Sequence, residues 1–176
     1  MDTSESALVV LVPQAEALVG PFRDLYDPSA MAGVPAHITL LYPFRPPEEI
    51  DEGVRESLRA CFESFASFSF SLSASRRFPG VLYLAPDSDE PFRQLTSALW
   101  RRYPETPPYG GKWPNIVPHL TVAQVADPAA LDRVASEFAH ASHRRLPITG
   151  RTTGVALMDN RSGRWVVRTV FGLRAG

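Results

Sequence analysis

Two copies of a short pattern, His-aliphatic-Thr-aliphatic, contain the residue types of this chain that are best suited to chemistry. The first copy spans residues 37–40 (HITL) and the second spans residues 119–122 (HLTV). Alternate side chains of an extended strand share one face, so each copy directs one imidazole and one hydroxyl the same way. Two such strands facing each other would form a site with two imidazoles and two hydroxyls.

The polar side chains of the two copies are His37, Thr39, His119 and Thr121. This set is suited to cleaving a phosphoester. Imidazole has a reference pKa of about 6.5, so one histidine can accept a proton from water while the other protonates the leaving oxygen. Threonine hydroxyls can donate hydrogen bonds to the phosphate oxygens. The scheme needs no metal, and two histidines without an acidic or cysteine partner at ligand spacing make a poor zinc site. We therefore expect neither a metal nor another cofactor.

The same order of elements surrounds both copies, which indicates a duplicated unit. In each half, an apolar strand that ends at proline is followed by a helix, the His-Thr strand, a second helix and a second strand. The first half has predicted strands at 8–12 and 68–74 and helices at 14–26 and 48–65, with Gly20-Pro21 as a candidate break. The second half has a strand at 81–86, helices at about 87–103 and 127–140, and strands near 146–158 and 164–173.

Strands interleaved with helices indicate an α+β or mixed α/β fold, and we predict one α+β domain over residues 1–176. We expect two pseudo-symmetric lobes, about residues 1–77 and 78–176, and leave strand exchange between them open. Lobes related by a pseudo-twofold axis would place equivalent strands face to face. His37 and His119 would then approach one phosphate from opposite lobes.

The paired motifs and the repeat resemble those of the 2H phosphoesterases, a family that includes 2′-5′ RNA ligase-like proteins and cyclic nucleotide phosphodiesterases. A C-terminal Gly163-Arg164-Trp165 strand is similar to that of the bacterial ligase-like branch. The resemblance implies a duplicated, bilobal fold in which two antiparallel-rich sheets flank a central cleft, with helices on the outside. It also implies that His37 and His119 are the acid/base pair and that Thr39 and Thr121 bind phosphate.

The activity implied by the resemblance is metal-independent hydrolysis of a 2′,3′-cyclic phosphate, or of a related cyclic or 2′-5′ phosphodiester. The substrate would be a nucleotide or an RNA end, which places the protein in RNA processing, and ligation would be the reverse reaction. The pseudo-symmetry leaves open which histidine is the base and which is the acid.

Six further residues are candidates for substrate contact: Tyr42, Phe44, Arg45, Tyr109, Trp113 and Trp165. The aromatic residues could stack on a base, with core packing as the alternative. Arg45 could bind a phosphate because it follows the first motif closely, with a solvated surface position as the alternative. Tyr109 and Trp113 lie in the irregular loop 104–118, whose prolines and glycines indicate a shaped flap over the substrate.

Composition limits the partners. A chain of 176 residues with 44% hydrophobic residues and a net charge of -1 is typical of one globular domain. Such a charge argues against a protein that coats nucleic acid, so we expect no extended nucleic-acid surface. The single Cys61 cannot form an intrachain disulfide and is predicted to be buried. No apolar run reaches the roughly 18 residues of a membrane span, and the first twelve residues carry the acids Asp2 and Glu5 instead of a basic region. We expect a cytoplasmic monomer.

Two other functions fit parts of the sequence. A nucleotide-binding or RNA-end-binding module would use the same cleft without turnover, although the two intact histidines favour an enzyme. A structural or interaction domain would require that His37 and His119 lie far apart. The natural substrate and the regiochemistry of the product are left open by the sequence.

Overall fold

The computed structural model describes residues 4–176 and contains two four-stranded antiparallel sheets. The strands of sheet 1 are β1 (Ser6–Leu11), β2 (His37–Leu41), β7 (Gly154–Asp159) and β8 (Val166–Gly172). The strands of sheet 2 are β3 (Phe68–Phe78), β4 (Val81–Pro86), β5 (Leu120–Gln124) and β6 (Ile148–Thr152). The strand orders are β2-β1-β7-β8 and β5-β4-β3-β6, so each motif strand lies at the edge of its sheet.

Five helices connect and cover the sheets: α1 (Glu16–Tyr26), α2 (Pro28–Met31), α3 (Glu52–Glu63), α4 (Glu90–Arg102) and α5 (Pro128–Ser142). Helix α1 follows β1 in the chain but packs against β5 of sheet 2, and α4 follows β4 but packs against β2 of sheet 1. The motif strands β2 and β5 are also in contact with each other. The predicted α+β architecture, with two antiparallel sheets on either side of a cleft, is confirmed.

The two sheets do not coincide with the two predicted lobes, whose boundary lies between residues 77 and 78. Strand β3 comes from the first half and pairs with β4 and β6 in sheet 2. Strands β7 and β8 come from the second half and join β1 in sheet 1, and only Thr153 separates β6 from β7. Each sheet therefore contains strands from both halves, and the division into two pseudo-symmetric lobes stays a prediction.

The predicted break at Gly20-Pro21 does not occur, because α1 continues through Pro21. Proline lacks the backbone N–H that would donate to the carbonyl of Ala17 four residues earlier. That carbonyl instead accepts a hydrogen bond of 2.7 Å from Nη2 of Arg145. A side chain from a distant part of the chain thus replaces the missing helical donor.

Side-chain caps fix the starts of α3 and α5, whereas α4 begins without one. Helix α3 begins at Glu52, later than predicted, because Pro47–Glu49 form a 3-10 turn and the Asp51 carboxylate accepts from the Val54 N–H at 2.8 Å. Helix α5 begins as predicted, with Asp127 accepting from the Ala130 N–H at 2.9 Å. Helix α4 begins at Glu90, where the neighbouring Asp89 carboxylate binds Arg93 and makes no capping hydrogen bond.

Strand β1 is buried on both faces, as its apolar sequence predicted. Leu8 and Val10 belong to the main core between the sheets and helices, whereas Ala7 and Val9 belong to a smaller cluster on the opposite face. Cys61 is buried in the main core as a free thiol, also as predicted. Across the described part of the chain, none of the helices combines the length and the apolar character needed to span a bilayer.

Candidate active site

The two motifs line one cleft of about 480 Å³ between the sheets. His37 and Thr39 line it from β2. Thr121 lines it from β5, and His119 lines it from the position directly before β5. The alternate residues of both strands are fully buried in the core: Ile38, Leu40, Leu120 and Val122. The two-residue period of each strand therefore produces the site, because it separates the polar side chains from the aliphatic ones.

Both imidazoles are held in the same way. Nδ1 of His37 lies 2.7 Å from the carbonyl oxygen of Pro35, and Nδ1 of His119 lies 2.7 Å from the carbonyl oxygen of Val117. A carbonyl oxygen can only accept, so each Nδ1 carries the proton and donates it. Each neutral imidazole consequently has Nε2 as an unprotonated acceptor, which is the atom available for proton transfer.

Burial lowers the pKa of the His37 imidazole to about 4. The carbonyl of Pro35 opposes this shift by stabilising the proton, whereas the buried guanidinium of Arg23 adds to it. Burial also lowers the pKa of His119, and the Val117 carbonyl opposes that change. His37 is thus neutral over a wide range of pH.

Aromatic side chains surround His119 but not His37 in the described aromatic contacts. Phe78 and Tyr83 stack with ring centroids 4.2 Å apart. The His119 ring packs edge-to-face with both, at centroid distances of 5.2 Å and 5.5 Å. The two histidines therefore have equivalent hydrogen bonds but different surroundings.

Tyr109 brings the long loop into the cleft. Its side chain lines the cleft; burial raises the pKa of the Tyr109 hydroxyl, and the neighbouring Thr39 hydroxyl opposes the rise. Its backbone has φ 53° and ψ 32°, in the left-handed region, and Gly110 and Gly111 follow with positive φ. Two glycines provide the conformational freedom that this tight turn requires.

Tyr42 and Trp165 also line the cleft, with ring centroids 6.0 Å apart in an edge-to-face arrangement. The Tyr42 hydroxyl donates to Oε2 of Glu5 at 2.9 Å. Burial and the Glu5 carboxylate raise the pKa of Tyr42 to about 12. Tyr42 consequently stays protonated and offers an aromatic surface to the cleft.

Three predicted contact residues lie outside the cleft lining. Phe44 is buried in the core, edge-to-face with Tyr103 at 5.1 Å. Arg45 forms an ion pair with Glu105 and lies over the ring of Tyr103 at 5.1 Å. Trp113 is 64% exposed on the loop. The structure therefore gives these three residues structural or surface positions, away from His37 and His119.

The sequence profile of the 2′-5′ RNA ligase superfamily matches residues 11–164. The chain belongs to this superfamily. A Bacillus licheniformis protein named as a candidate phosphoesterase is 28% identical over 174 residues, with 95% of this chain and 98% of that protein covered. The resemblance to the 2H phosphoesterases is confirmed, and the family supports an enzyme of the phosphoesterase or 2′-5′ RNA ligase type.

Solved structures share the fold of this superfamily member. Escherichia coli LigT is 13% identical with a TM-score of 0.61, covering 97% of this chain and 98% of LigT. TT0787 of Thermus thermophilus is 20% identical with a TM-score of 0.59, also covering 97% of this chain and 98% of the other. At such low identity the likeness concerns the fold.

In this 2′-5′ RNA ligase superfamily member, a buried charged group that was not predicted from the sequence also lies at the cleft. Asp27 lines the cleft, and its Oδ2 accepts from Nε of Arg23 at 2.9 Å. Both residues are 2% exposed. The i, i+4 spacing of an arginine and an aspartate at the end of a helix is a sequence signal for such a pair. Within residues 4–176, no cluster of three metal-ligating side chains is present.

Proposed function

We propose that this chain is a metal-independent phosphoesterase that acts on a 2′,3′-cyclic phosphate, or on a related cyclic or 2′-5′ phosphodiester, of a nucleotide or RNA end. The pair of Nδ1–carbonyl hydrogen bonds at His37 and His119 is the observation that carries this proposal. It leaves two Nε2 atoms for acid-base chemistry in a single cleft. Thr39 and Thr121 are proposed to donate hydrogen bonds to the phosphate oxygens.

The different environments of the histidines support a division of roles. Burial holds the pKa of His37 at about 4, so this imidazole is neutral and suited to act as the base. His119 would act as the acid. Its aromatic neighbours Phe78 and Tyr83 fix the ring, while Nδ1 keeps its proton and donates it to the Val117 carbonyl.

The proposed step for a cyclic phosphate is an in-line attack by water. Nε2 of His37 takes a proton from the water as its oxygen bonds to phosphorus. The bond from phosphorus to one ribose oxygen breaks, and Nε2–H of His119 protonates that oxygen. The threonine hydroxyls stabilise the charge that redistributes over the non-bridging oxygens.

The cleft chemistry supports independence from metals. Among the described residues that line the cleft, Asp27 is the one acidic side chain, and it is engaged by Arg23. The remaining polar side-chain groups are imidazoles, hydroxyls, one indole and one amide, and none of them is an anionic oxygen ligand of the kind that holds Mg²⁺. Charge on the phosphate would be met by hydrogen bonds instead.

The size of the cleft supports a nucleotide as the ligand. Its volume of about 480 Å³ lies within the range of about 300–1,000 Å³ that is usual for small-molecule sites. Structures of E. coli LigT contain 3′-AMP, ATP and NADP+. We propose the same class of ligand for this chain.

The proposal is tested by assaying 2′,3′-cyclic nucleotides, 2′-5′ oligoadenylates and cyclic-phosphate-ended RNA in the presence of EDTA. The wild type should turn over at least one of them, and His37→Ala or His119→Ala should each lower kcat by about 10² or more. His140→Ala, at an exposed position on α5, is the matched control and should retain activity. Near-normal turnover in both active-site variants, or loss of activity in EDTA, would contradict the proposal. Binding without turnover would favour the binding module.

A further inference from the structure

One end of the cleft is an apolar recess on the face of sheet 1. We call it the sheet 1 recess, and its walls are Ala7, Val9, Val34, Tyr42, Met158 and Trp165. Backbone contacts fix its outer wall, because the Trp165 N–H donates to the carbonyl of Ala32 at 2.9 Å. Two aromatic rings and aliphatic walls form the kind of surface that holds a planar ring.

The polar end of the sheet 1 recess is formed by Asp27 and Ser29, which both line the cleft. Oδ1 of Asp27 accepts from the backbone N–H of Ser29 at 2.9 Å and from its hydroxyl at 2.8 Å, and Oδ2 accepts from Nε of Arg23 at 2.9 Å. A carboxylate has about four acceptor positions, so one position on Oδ2 remains after these described hydrogen bonds.

Ser29 also has acceptor capacity left. Its hydroxyl proton is donated to Asp27, and its oxygen accepts from Nη2 of Arg23 at 3.1 Å. A hydroxyl oxygen can accept twice, so a second acceptor position remains. Nη2 of Arg23 also donates to the carbonyl of Val34 at 3.0 Å, and the Tyr42 hydroxyl donates its proton to Glu5. These donors are therefore already engaged. The polar end therefore offers acceptors to a ligand.

We propose that the sheet 1 recess is a nucleobase subsite that prefers bases with an exocyclic amino group. This inference rests on the proposed function, because the phosphate must lie between His37 and His119 for the base to reach the recess. An amino group donates to Asp27 and Ser29. A carbonyl oxygen at the same place can only accept, so it would face the acceptor oxygens of Asp27 and Ser29 without a hydrogen bond. The buried carboxylate would also stay without a donor, which lowers the affinity for such a base.

Two substrate pairs test this preference without changing the protein. Cytidine and uridine 2′,3′-cyclic monophosphates differ at the amino or carbonyl group of a pyrimidine, and the adenosine and inosine forms differ in the same way in a purine. The wild type should favour the amino member by about tenfold or more in kcat/KM. A ratio of about fivefold or more in either pair supports the subsite, and smaller ratios in both pairs overturn it.

Binding separates this inference from the proposed function. Titration calorimetry with cytidine and uridine 3′-monophosphates should show the same preference in Kd, whether or not the protein turns over a substrate. Preferential binding without turnover would keep the subsite and reject the phosphoesterase. Turnover without a base preference would support the phosphoesterase and reject the subsite.

A variant links the preference to the named residues. Ser29→Ala removes the hydroxyl acceptor, frees the Oδ1 position of Asp27 that this hydroxyl occupies, and leaves the Asp27–Arg23 ion pair in place. It should therefore change the cytidine-to-uridine ratio by about threefold or more. Ser136→Ala, at an exposed position on α5, is the matched control and should keep the wild-type ratio. An unchanged ratio in a folded Ser29→Ala protein would contradict the role of this hydroxyl.

Discussion

The backbone N–H of Tyr109 donates a hydrogen bond of 2.6 Å to the carbonyl oxygen of Tyr42. This bond joins the loop that leads into β5 of sheet 2 to the end of β2 in sheet 1. The loop is therefore anchored directly beside the strand that carries His37 and Thr39. The side chain of the anchoring residue Tyr109 lines the same cleft as Thr39.

Replacing Tyr109 by Phe should lower kcat/KM by about three- to tenfold, because the cleft loses a hydroxyl beside Thr39 that is suited to orient it. The backbone anchor and the buried ring are retained, so the Tm should stay within about 2 °C of the wild type. Steady-state kinetics and calorimetry measure the two quantities. Tyr26→Phe, on α1 and outside the cleft lining, is the control. Wild-type kcat/KM in Tyr109→Phe would show that Thr39 needs no such orientation.

The activity should be highest at acidic pH. The proposed base His37 is neutral above its pKa of about 4, and the proposed acid His119 must be protonated, with a pKa that burial lowers. The pH profile of kcat/KM reports the free enzyme and should therefore peak between about pH 4 and 6.5 and fall on both sides. A flat profile from pH 5 to 8, or a maximum above pH 7, would argue against this pair as the acid and base.

Arg45→Ala should leave kcat/KM within about twofold of the wild type, although Arg45 follows the first motif closely. Its guanidinium is paired with Glu105 and lies over Tyr103, outside the cleft lining. A partly exposed ion pair contributes about 0–1 kcal/mol, so urea unfolding should change little. A large fall in kcat/KM with an intact fold would instead place Arg45 near the phosphate during turnover.

Gly154→Ala should destabilise the protein by about 1–3 kcal/mol, as measured by urea unfolding. A Cβ at this position would lie 2.8 Å from the carbonyl oxygen of Phe171 and 2.9 Å from Cγ1 of Val170. Gly172 pairs with Gly154 across β7 and β8, and a Cβ there would meet no atom within 4 Å. Gly172→Ala is thus the matched control and should be close to neutral. If both substitutions lowered the free energy of unfolding equally, a clash of the Cβ at residue 154 could not be the cause.

The sequence was sufficient to predict the features that depend on local periodicity. The alternation of His37, Ile38, Thr39 and Leu40 is enough to separate a polar face from a buried face, and the structure has that separation. The repeat of strands and helices likewise predicted the α+β class. Both properties are encoded within a few neighbouring residues.

Features that depend on distant partners could not be predicted. Arg45 is near the first motif in sequence, but its partner Glu105 is 60 residues away. The continuation of α1 through Pro21 depends on Arg145, which is 128 residues from the carbonyl of Ala17 that it serves. The closeness of Asp27 to the cleft likewise follows from tertiary packing, which a local pattern does not contain.

The cleft is completed by residues from both early and late parts of the chain. His37 lies on β2, whereas Met158 and Trp165, which wall the sheet 1 recess, come more than a hundred residues later. Strand β2 pairs with β1, and β1 gains its other neighbour only when β7 has formed. During synthesis on the ribosome, the first His-Thr motif therefore emerges long before the proposed nucleobase subsite is complete, and a chain that ends before β7 should show none of the proposed activity.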